Sequence, residues 1–331
     1  MKVLLTGAFG NVGESTLLAL LSKDKDYEIT GFDKWSPANA KTSRQFRKNI
    51  SIIWGDLRNP KVVEKAVKGQ DFVLHIGAVI PPKANRSENR TMAINFGGTK
   101  NVVDACLKQD NKPKILYTSS VAVYGDIRHK ENHCLYVEDP FNPSPGDFYA
   151  VTKIKAEEYV RNSGLDFVVF RLSYIPNTKK ITLTPLMFKM PLDTPVEFTH
   201  TLDTGLCLAN AIETKEVMGN SYNLGGGEKC QFYYKTYLEK MLPFMGVGML
   251  PNEAFTDDPW HCCFYDTKEL NNLLNFQNHT FDDLLQEMYD NTSTKRLLAK
   301  IFKPLVTRFL LSLSPYYKKN KKKMKEKTKV D

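Results

Sequence analysis

Three side chains have types and spacing suited to moving a proton beside a redox cofactor. Tyr149 and Lys153 stand four residues apart in Asp147-Phe148-Tyr149-Ala150-Val151-Thr152-Lys153, so on a helix they share one face. A lysine ammonium near a phenol favours the phenolate and lowers its pKa. A tyrosine tuned in this way takes a proton from an alcohol or gives one to a ketone. Ser120 ends the run Lys114-Ile115-Leu116-Tyr117-Thr118-Ser119-Ser120. A hydroxyl there can hold a substrate oxygen while a nicotinamide exchanges hydride with the adjoining carbon.

A site for such a cofactor is visible at the start of the chain. Lys2-Val3-Leu4-Leu5 is a short apolar run, followed by Thr6-Gly7-Ala8-Phe9-Gly10-Asn11-Val12-Gly13 and a helix from Glu14 to Leu21. Buried strand, glycine turn and helix in that order are what a dinucleotide site requires. Gly7 takes the tight turn, Gly10 lets the backbone approach a pyrophosphate, and Gly13 lets the helix pack on the strand. The helix N-terminus then offers free N–H groups to the phosphates. Twenty residues after Gly13, the strand Tyr27-Glu28-Ile29-Thr30-Gly31-Phe32-Asp33 ends in an acid. A carboxylate there accepts from ribose hydroxyls and repels a 2′-phosphate, which favours NAD over NADP. The neighbouring Lys34 weakens that preference.

The elements that must position these groups alternate along the chain. Strands are expected at Ile52-Ile53-Trp54, at 71–78 through His75, Gly77 and Ala78, at 114–120 and at Phe167-Val168-Val169-Phe170-Arg171. Helices are expected over 60–67, over 90–107 and from 147 onwards, the last with Lys155, Glu157 and Glu158 on its outer faces. This alternation implies an α/β fold with a doubly wound parallel sheet. Asp33, Asp56, Gly77 and Ser120 all fall at carboxyl ends of strands, where such sheets bind ligands. Asp56 is placed to reach the adenine amino group. His75, inside an apolar run, reads as a packed core residue.

Length and charge bound the rest. The 331 residues are 42% hydrophobic with a net charge of +9. Residues 295–331 hold thirteen Lys or Arg against only Glu326 and Asp331, so the remaining body is near neutral. That excludes a nucleic-acid groove on the body and places the basic character in the tail. There is no Cys-x-x-Cys pair and no secretory signal, which indicates a reducing cytoplasm. His261-Cys262-Cys263 lacks the second ligand cluster that a metal site needs, so no metal is expected. In the tail, Leu297, Leu298, Ile301, Phe302, Leu305, Val306, Phe309, Leu310 and Leu313 recur at helical period. Eight lysines follow between 318 and 329. Lys300, Lys303, Arg308 and Pro304 argue against a spanning helix. An amphipathic helix with a polybasic run suits an anionic membrane surface across 297–329; docking on the body, or pairing of two subunits into a homodimer, is the other use of such a helix.

With these motifs assembled, the chain resembles the extended short-chain dehydrogenases/reductases of the NAD-dependent epimerase and dehydratase group, over about residues 1–290. The likeness rests on the glycine turn, Asp33, Gly55-Asp56-Leu57, His75-Ile76-Gly77-Ala78, Asn95-Phe96-Gly97-Gly98-Thr99, Ser119-Ser120-Val121-Ala122-Val123-Tyr124-Gly125 and Tyr149-Ala150-Val151-Thr152-Lys153. The resemblance implies that Ser120, Tyr149 and Lys153 are the catalytic trio, with Tyr149 as acid/base. It implies cofactor contacts from Gly7, Phe9, Gly10, Asn11, Val12, Gly13, Asp33, Asp56, Leu57, Gly77, Ala78, Asn95, Ser119, Tyr149 and Lys153, the last on the nicotinamide ribose. It further implies an NAD-binding domain over 1–175 with a returning segment at about 196–225, and a substrate lobe over 176–195 and 226–290.

Departures from the group's pattern narrow the activity. Nucleotide-sugar 4,6-dehydratases carry an Asp-Glu pair where this chain has Val121-Ala122. Nucleotide-sugar epimerases place an asparagine where Tyr174 stands, and an arginine where Val196 stands. An apolar wall is expected from Leu183, Leu186, Met187, Phe188, Met190 and Pro191, with a second stretch over 242–251. The expectation is therefore an NAD-dependent oxidoreductase of a secondary alcohol or ketone, bulky and apolar in the manner of a hydroxysteroid. A nucleotide-sugar 4-epimerase and a non-catalytic cofactor-binding protein are the alternatives.

Overall fold

The computed structural model describes residues 1–130, 132–179 and 184–327, apart from the side chains of 293–295 and 323–327. The first half alternates strand and helix: β1 (Lys2–Thr6), α1 (Asn11–Leu21), β2 (Glu28–Asp33), α2 (Pro37–Ser43), β3 (Ser51–Trp54), α3 (Pro60–Val67), β4 (Phe72–His75), α4 (Glu88–Leu107), β5 (Lys114–Ser120). The second half runs β6 (Cys134–Leu135), α5 (Phe148–Arg161), β7 (Phe167–Leu172), β8 (Pro195–Glu197), α6 (Thr201–Ala211), β9 (Ser221–Leu224), β10 (Gln231–Tyr233), α7 (Tyr234–Phe244), β11 (Phe264–Tyr265), α8 (Lys268–Leu274), α9 (Phe281–Asp290), α10 (Ser293–Ile301), α11 (Lys303–Leu313) and α12 (Tyr317–Lys327).

Seven strands form one sheet in the order β3-β2-β1-β4-β5-β7-β9, and every pairing in it is parallel. Its central strands are apolar on both faces because helices cover both. Along β1, Val3 and Leu5 face the layer of α1 and α6, while Leu4 faces that of α3, α4 and α5. Gly205 lets α6 lie against α1, since a Cβ there would fall 2.4 Å from the Ser15 carbonyl carbon. The order reverses between β1 and β4, which opens a crevice at their carboxyl ends.

Local signals account for the boundaries. Asn59 caps α3 with Pro60 in its first turn, and Thr280 and Asp283 form a capping box on α9. The first helix starts at Asn11, three residues before the expected Glu14, because Gly10 serves as its N-cap. The fourth strand stops at His75 instead of running to Ala78. There the Gly77 N–H leaves the ladder and donates to Thr6 Oγ1 at 3.1 Å.

Beyond the sheet, a second apolar cluster gathers Phe188, Met190, Phe198, Tyr234, Leu242, Leu250, Phe255 and Phe281 into a lobe. Phe188 and Met190, expected to wall a pocket, are 0% and 5% exposed and form the lobe's own core; Leu183 lies outside the described residues. The tail departs from a single amphipathic helix. It breaks at Phe302 into α10 and α11, and Leu310 is buried in the lobe. Among the described residues no helix is long and apolar enough to cross a membrane.

Candidate active site

The glycine turn is built by contacts that admit no side chain. Gly7 has φ +70°, and a Cβ on it would lie 2.8 Å from Gly77 Cα. A Cβ on Gly13 would lie 2.1 Å from the Gly7 carbonyl oxygen. Gly10 differs: its Cβ would meet only that same oxygen, at 3.4 Å. Gly13 is therefore required by the protein's own packing, and the space at Gly10 is left for a ligand. Together with the N-terminus of α1, this cradle fits a pyrophosphate.

Asp33 holds the turn in place. Its carboxylate accepts from Phe9 N at 2.9 Å, from Lys34 N at 2.7 Å and from Asn39 Nδ2 at 3.0 Å. Burial raises its pKa, against the lowering effect of these backbone donors. Asp56, expected at the adenine, is paired with Arg58 at 2.7 Å and Lys34 at 3.2 Å. Its pKa is well below the carboxylate range, chiefly through the Arg58 hydrogen bond. Asn11 donates weakly to Pro176 O and Thr201 Oγ1, both at 3.4 Å. Val12 packs, half-buried, against the core cluster beside α1.

A chain of hydrogen bonds braces the floor. Thr99 Oγ1 donates to Asn95 O at 2.6 Å, so it accepts from His75 Nε2 at 2.9 Å. Nδ1 of the same ring is then the acceptor for Thr6 Oγ1 at 2.7 Å. Asn95 uses its side chain on Val79 N, Val79 O and Thr152 Oγ1. It ties the loop after β4 to α5, so its hydrogen-bonding groups are committed within the protein. Leu57 backs Gly77 and Gly98, whose added Cβ atoms would lie 3.0 and 2.8 Å from it, and Ala78 follows Gly77 in the same loop.

His75 is the packed core histidine expected, 1% exposed. Burial lowers its pKa from 6.5 to about 3, with Lys153 adding to the effect. The unfolded chain thus binds a proton between pH 6.5 and 3 that the folded chain refuses, and stability falls as pH falls through that window. The slope reaches at most about 1.4 kcal/mol per pH unit. Urea melts at pH 7 and pH 5 should show this loss, and His75→Asn should flatten it; equal slopes in both proteins would contradict the assignment.

The proton-handling groups meet at the end of β5. Ser120 and Tyr149 are 9% and 7% exposed, and Ser120 Oγ accepts from Ala122 N at 3.3 Å. Asp147 caps α5 by accepting from Ala150 N at 3.0 Å, which starts the helix at Phe148, one residue before Tyr149. Lys153, one turn on, donates to Thr118 O at 2.7 Å and lies 5.9 Å from the Tyr149 ring centre. Ser119 is buried with no partner at its hydroxyl among the described residues.

The electrostatics differ from the expected pairing. Burial pushes the Tyr149 phenol up to about 12, and Ser120's hydrogen bond is the influence that lowers it. Lys153 falls to about 7 because it too is buried. The Tyr149 phenol is thus raised, where its spacing from Lys153 leads to the expectation of a lowered one.

Two further pairs escaped sequence reading. Glu157, expected on an outer face, is 0% exposed and binds Arg171 at 2.6 Å. Arg171 comes from the end of β7, and neither partner's local pattern reveals the other. Asp147 is held by His261 Nδ1 at 2.6 Å, a contact across 114 residues of sequence. Among the described residues, no three His, Cys, Asp or Glu groups gather as a metal site.

Known proteins resemble this chain in sequence and in fold. The sequence profile of the NAD dependent epimerase/dehydratase family matches residues 3–176. The chain is 28% identical over 156 residues to the 3 beta-hydroxysteroid dehydrogenase/Delta 5-->4-isomerase of vaccinia virus (strain Ankara), 47% of this chain and 44% of that protein. It is 28% identical over 189 residues to D-erythronate dehydrogenase of Cupriavidus necator, 53% of this chain and 55% of that one. The chain thus spans about half the length of these relatives. Among solved structures, UDP-glucuronic acid 4-epimerase of Bacillus cereus with UDP-glucuronic acid and NAD superposes with a TM-score of 0.73 at 21% identity, covering 89% of this chain and 99% of that one. A dTDP-glucose 4,6-dehydratase of Bacillus anthracis with NAD gives 0.73 at 19% identity, covering 89% and 97%. At such identities the likeness is one of fold.

Proposed function

The chain belongs to the NAD dependent epimerase/dehydratase family, and on that premise we propose that it is an NAD-dependent oxidoreductase of a secondary alcohol or ketone. The observation that carries this reading is the gathering of Ser120 at the end of β5 with Tyr149 and Lys153, one turn apart on α5, at the carboxyl end of the sheet. Bound NAD supplies the hydride acceptor. In the oxidising direction Tyr149 takes the proton from the substrate hydroxyl, Ser120 holds the oxygen as it becomes a carbonyl, and the carbon gives up its hydrogen as hydride. In the reducing direction the same phenol returns the proton. Lys153 holds the nicotinamide ribose, a role for which its ammonium sits beneath the Tyr149 ring.

The substrate in this reading is bulky and apolar. Val121 and Ala122 are 6% and 0% exposed and offer no acid or base for an elimination. Tyr174 presents a ring 42% exposed, propped edge-on by Phe198 at 5.5 Å, where an aromatic face suits an alicyclic skeleton better than a diphosphate. Six unpaired thiols suit a cytoplasmic protein, attached peripherally to an anionic membrane through 297–329. The test is a panel of hydroxysteroids, small secondary alcohols and UDP-sugars, each supplied with NAD and followed by NADH absorbance. Net NADH from an apolar alcohol is expected. Interconversion of a UDP-sugar without net NADH, by protein that purifies with NAD bound, would replace this reading with an epimerase.

A further inference from the structure

The tail is not a loose tether. Leu310 is 1% exposed, and Val306, Leu311, Leu313, Tyr316 and Tyr317 pack against the lobe with it. Ser314 Oγ donates to Ala254 O at 2.5 Å, and Asn320 Nδ2 donates to Glu253 O and Phe255 O, both at 3.1 Å. Gly246 lies directly under α10, where a Cβ would come within 2.8 Å of Arg296 O. The inner face of these helices is therefore part of the lobe.

Their outer face is exposed yet apolar. Leu297, Leu298, Ile301, Phe302, Leu305 and Phe309 are 51–65% exposed and fall on two consecutive helices and the Phe302 break between them. Side chains of this size clustered at one place mark a contact surface. Lys300, Lys303 and Arg308 are exposed among them, and no acidic residue occurs between Asp290 and Glu326. The lysine-rich α12 continues the same sign of charge.

We infer that this ridge is the surface through which the folded protein lies on an anionic lipid bilayer. The inference rests on the peripheral attachment proposed above and assigns it to one face. Apolar side chains enter the acyl boundary, and the interspersed cations meet the headgroups. The helices are too short to span, so they lie in the interface plane. A second copy of the chain is the poorer occupant. A two-fold contact through this ridge would bring two acid-free, lysine-rich faces together, and like charges at an interface oppose association. Because the ridge's inner side packs on the lobe, docking also seats the lobe against the membrane.

The test is sedimentation of the full chain with vesicles of phosphatidylcholine alone, and with vesicles of equal parts phosphatidylcholine and phosphatidylglycerol. Binding to the mixed vesicles, weakened by added salt, is expected. The combined change Leu297→Glu, Ile301→Glu and Leu305→Glu should lower it by about tenfold or more through lost apolar burial and added repulsion. These positions are exposed, so the melting temperature and NAD binding should be retained. Failure of the parent to bind either vesicle overturns attachment altogether. Equal binding by parent and variant overturns only the assignment to this ridge. A parent dimer that the variant converts to a monomer, with no vesicle binding, identifies the ridge as a subunit interface and overturns the proposal.

Discussion

Tyr149→Phe should lower turnover by about a hundred- to ten-thousandfold, the usual contribution of a positioned acid/base, and leave NAD affinity nearly unchanged. The change removes one oxygen. The ring itself packs among Ala84, Ala122 and Ala150, and phenylalanine fills that space without strain. What is lost is the hydroxyl that exchanges a proton with the substrate oxygen in the proposed reaction. Steady-state turnover and a fluorescence titration with NADH separate the two effects. Retained turnover would remove Tyr149 from the mechanism.

Gly10→Ala and Gly13→Ala should fail in different ways. An alanine at 13 forces its Cβ to within 2.1 Å of Gly7 O and 2.8 Å of the Ala8 carbonyl carbon. Both are backbone atoms, so the strand and helix must part. Overpacking of this kind costs about 1–3 kcal/mol, roughly a five- to hundredfold change if expressed in binding. Stability and NAD affinity should fall together. At position 10 the nearest protein atom lies 3.4 Å away, and Gly10 has no positive φ. The alanine variant should melt like the parent and still bind NAD poorly, because its methyl occupies the space left for the phosphates. Thermal melts with and without NAD check both. A Gly10→Ala protein that binds NAD as well as the parent would contradict the placing of the pyrophosphate.

Much of this was legible before any coordinates, for identifiable reasons. Val3, Leu4 and Leu5 had to be a buried strand because both faces of a parallel sheet are covered. Tyr149 and Lys153 had to share a face because a helix turns every 3.6 residues. Local pattern does not report long-range partners, and the errors follow from that. Glu157 looked solvated because Arg171, fourteen residues on, gives no sign of turning under α5. The Arg58 and Lys34 partners of Asp56 are likewise invisible in the sequence, because their reach depends on side-chain conformation. The lowered Tyr149 pKa failed because spacing says nothing of how dry the site is. In the tail, residues such as Leu305 and Leu310 are equally apolar, and only the packed lobe shows which faces inward.

The central claim is net hydride transfer from a substrate carbon to NAD, with Tyr149 carrying the proton. The most direct measurement uses a secondary alcohol, identified by the panel, deuterated at the carbinol carbon. Mass spectrometry of the released cofactor and the product then locates the label. The account predicts deuterium in free NADH and an unlabelled ketone, and no labelled NADH from the Tyr149→Phe protein. Deuterium retained on the carbon of an inverted alcohol, with no labelled NADH in solution, would contradict it.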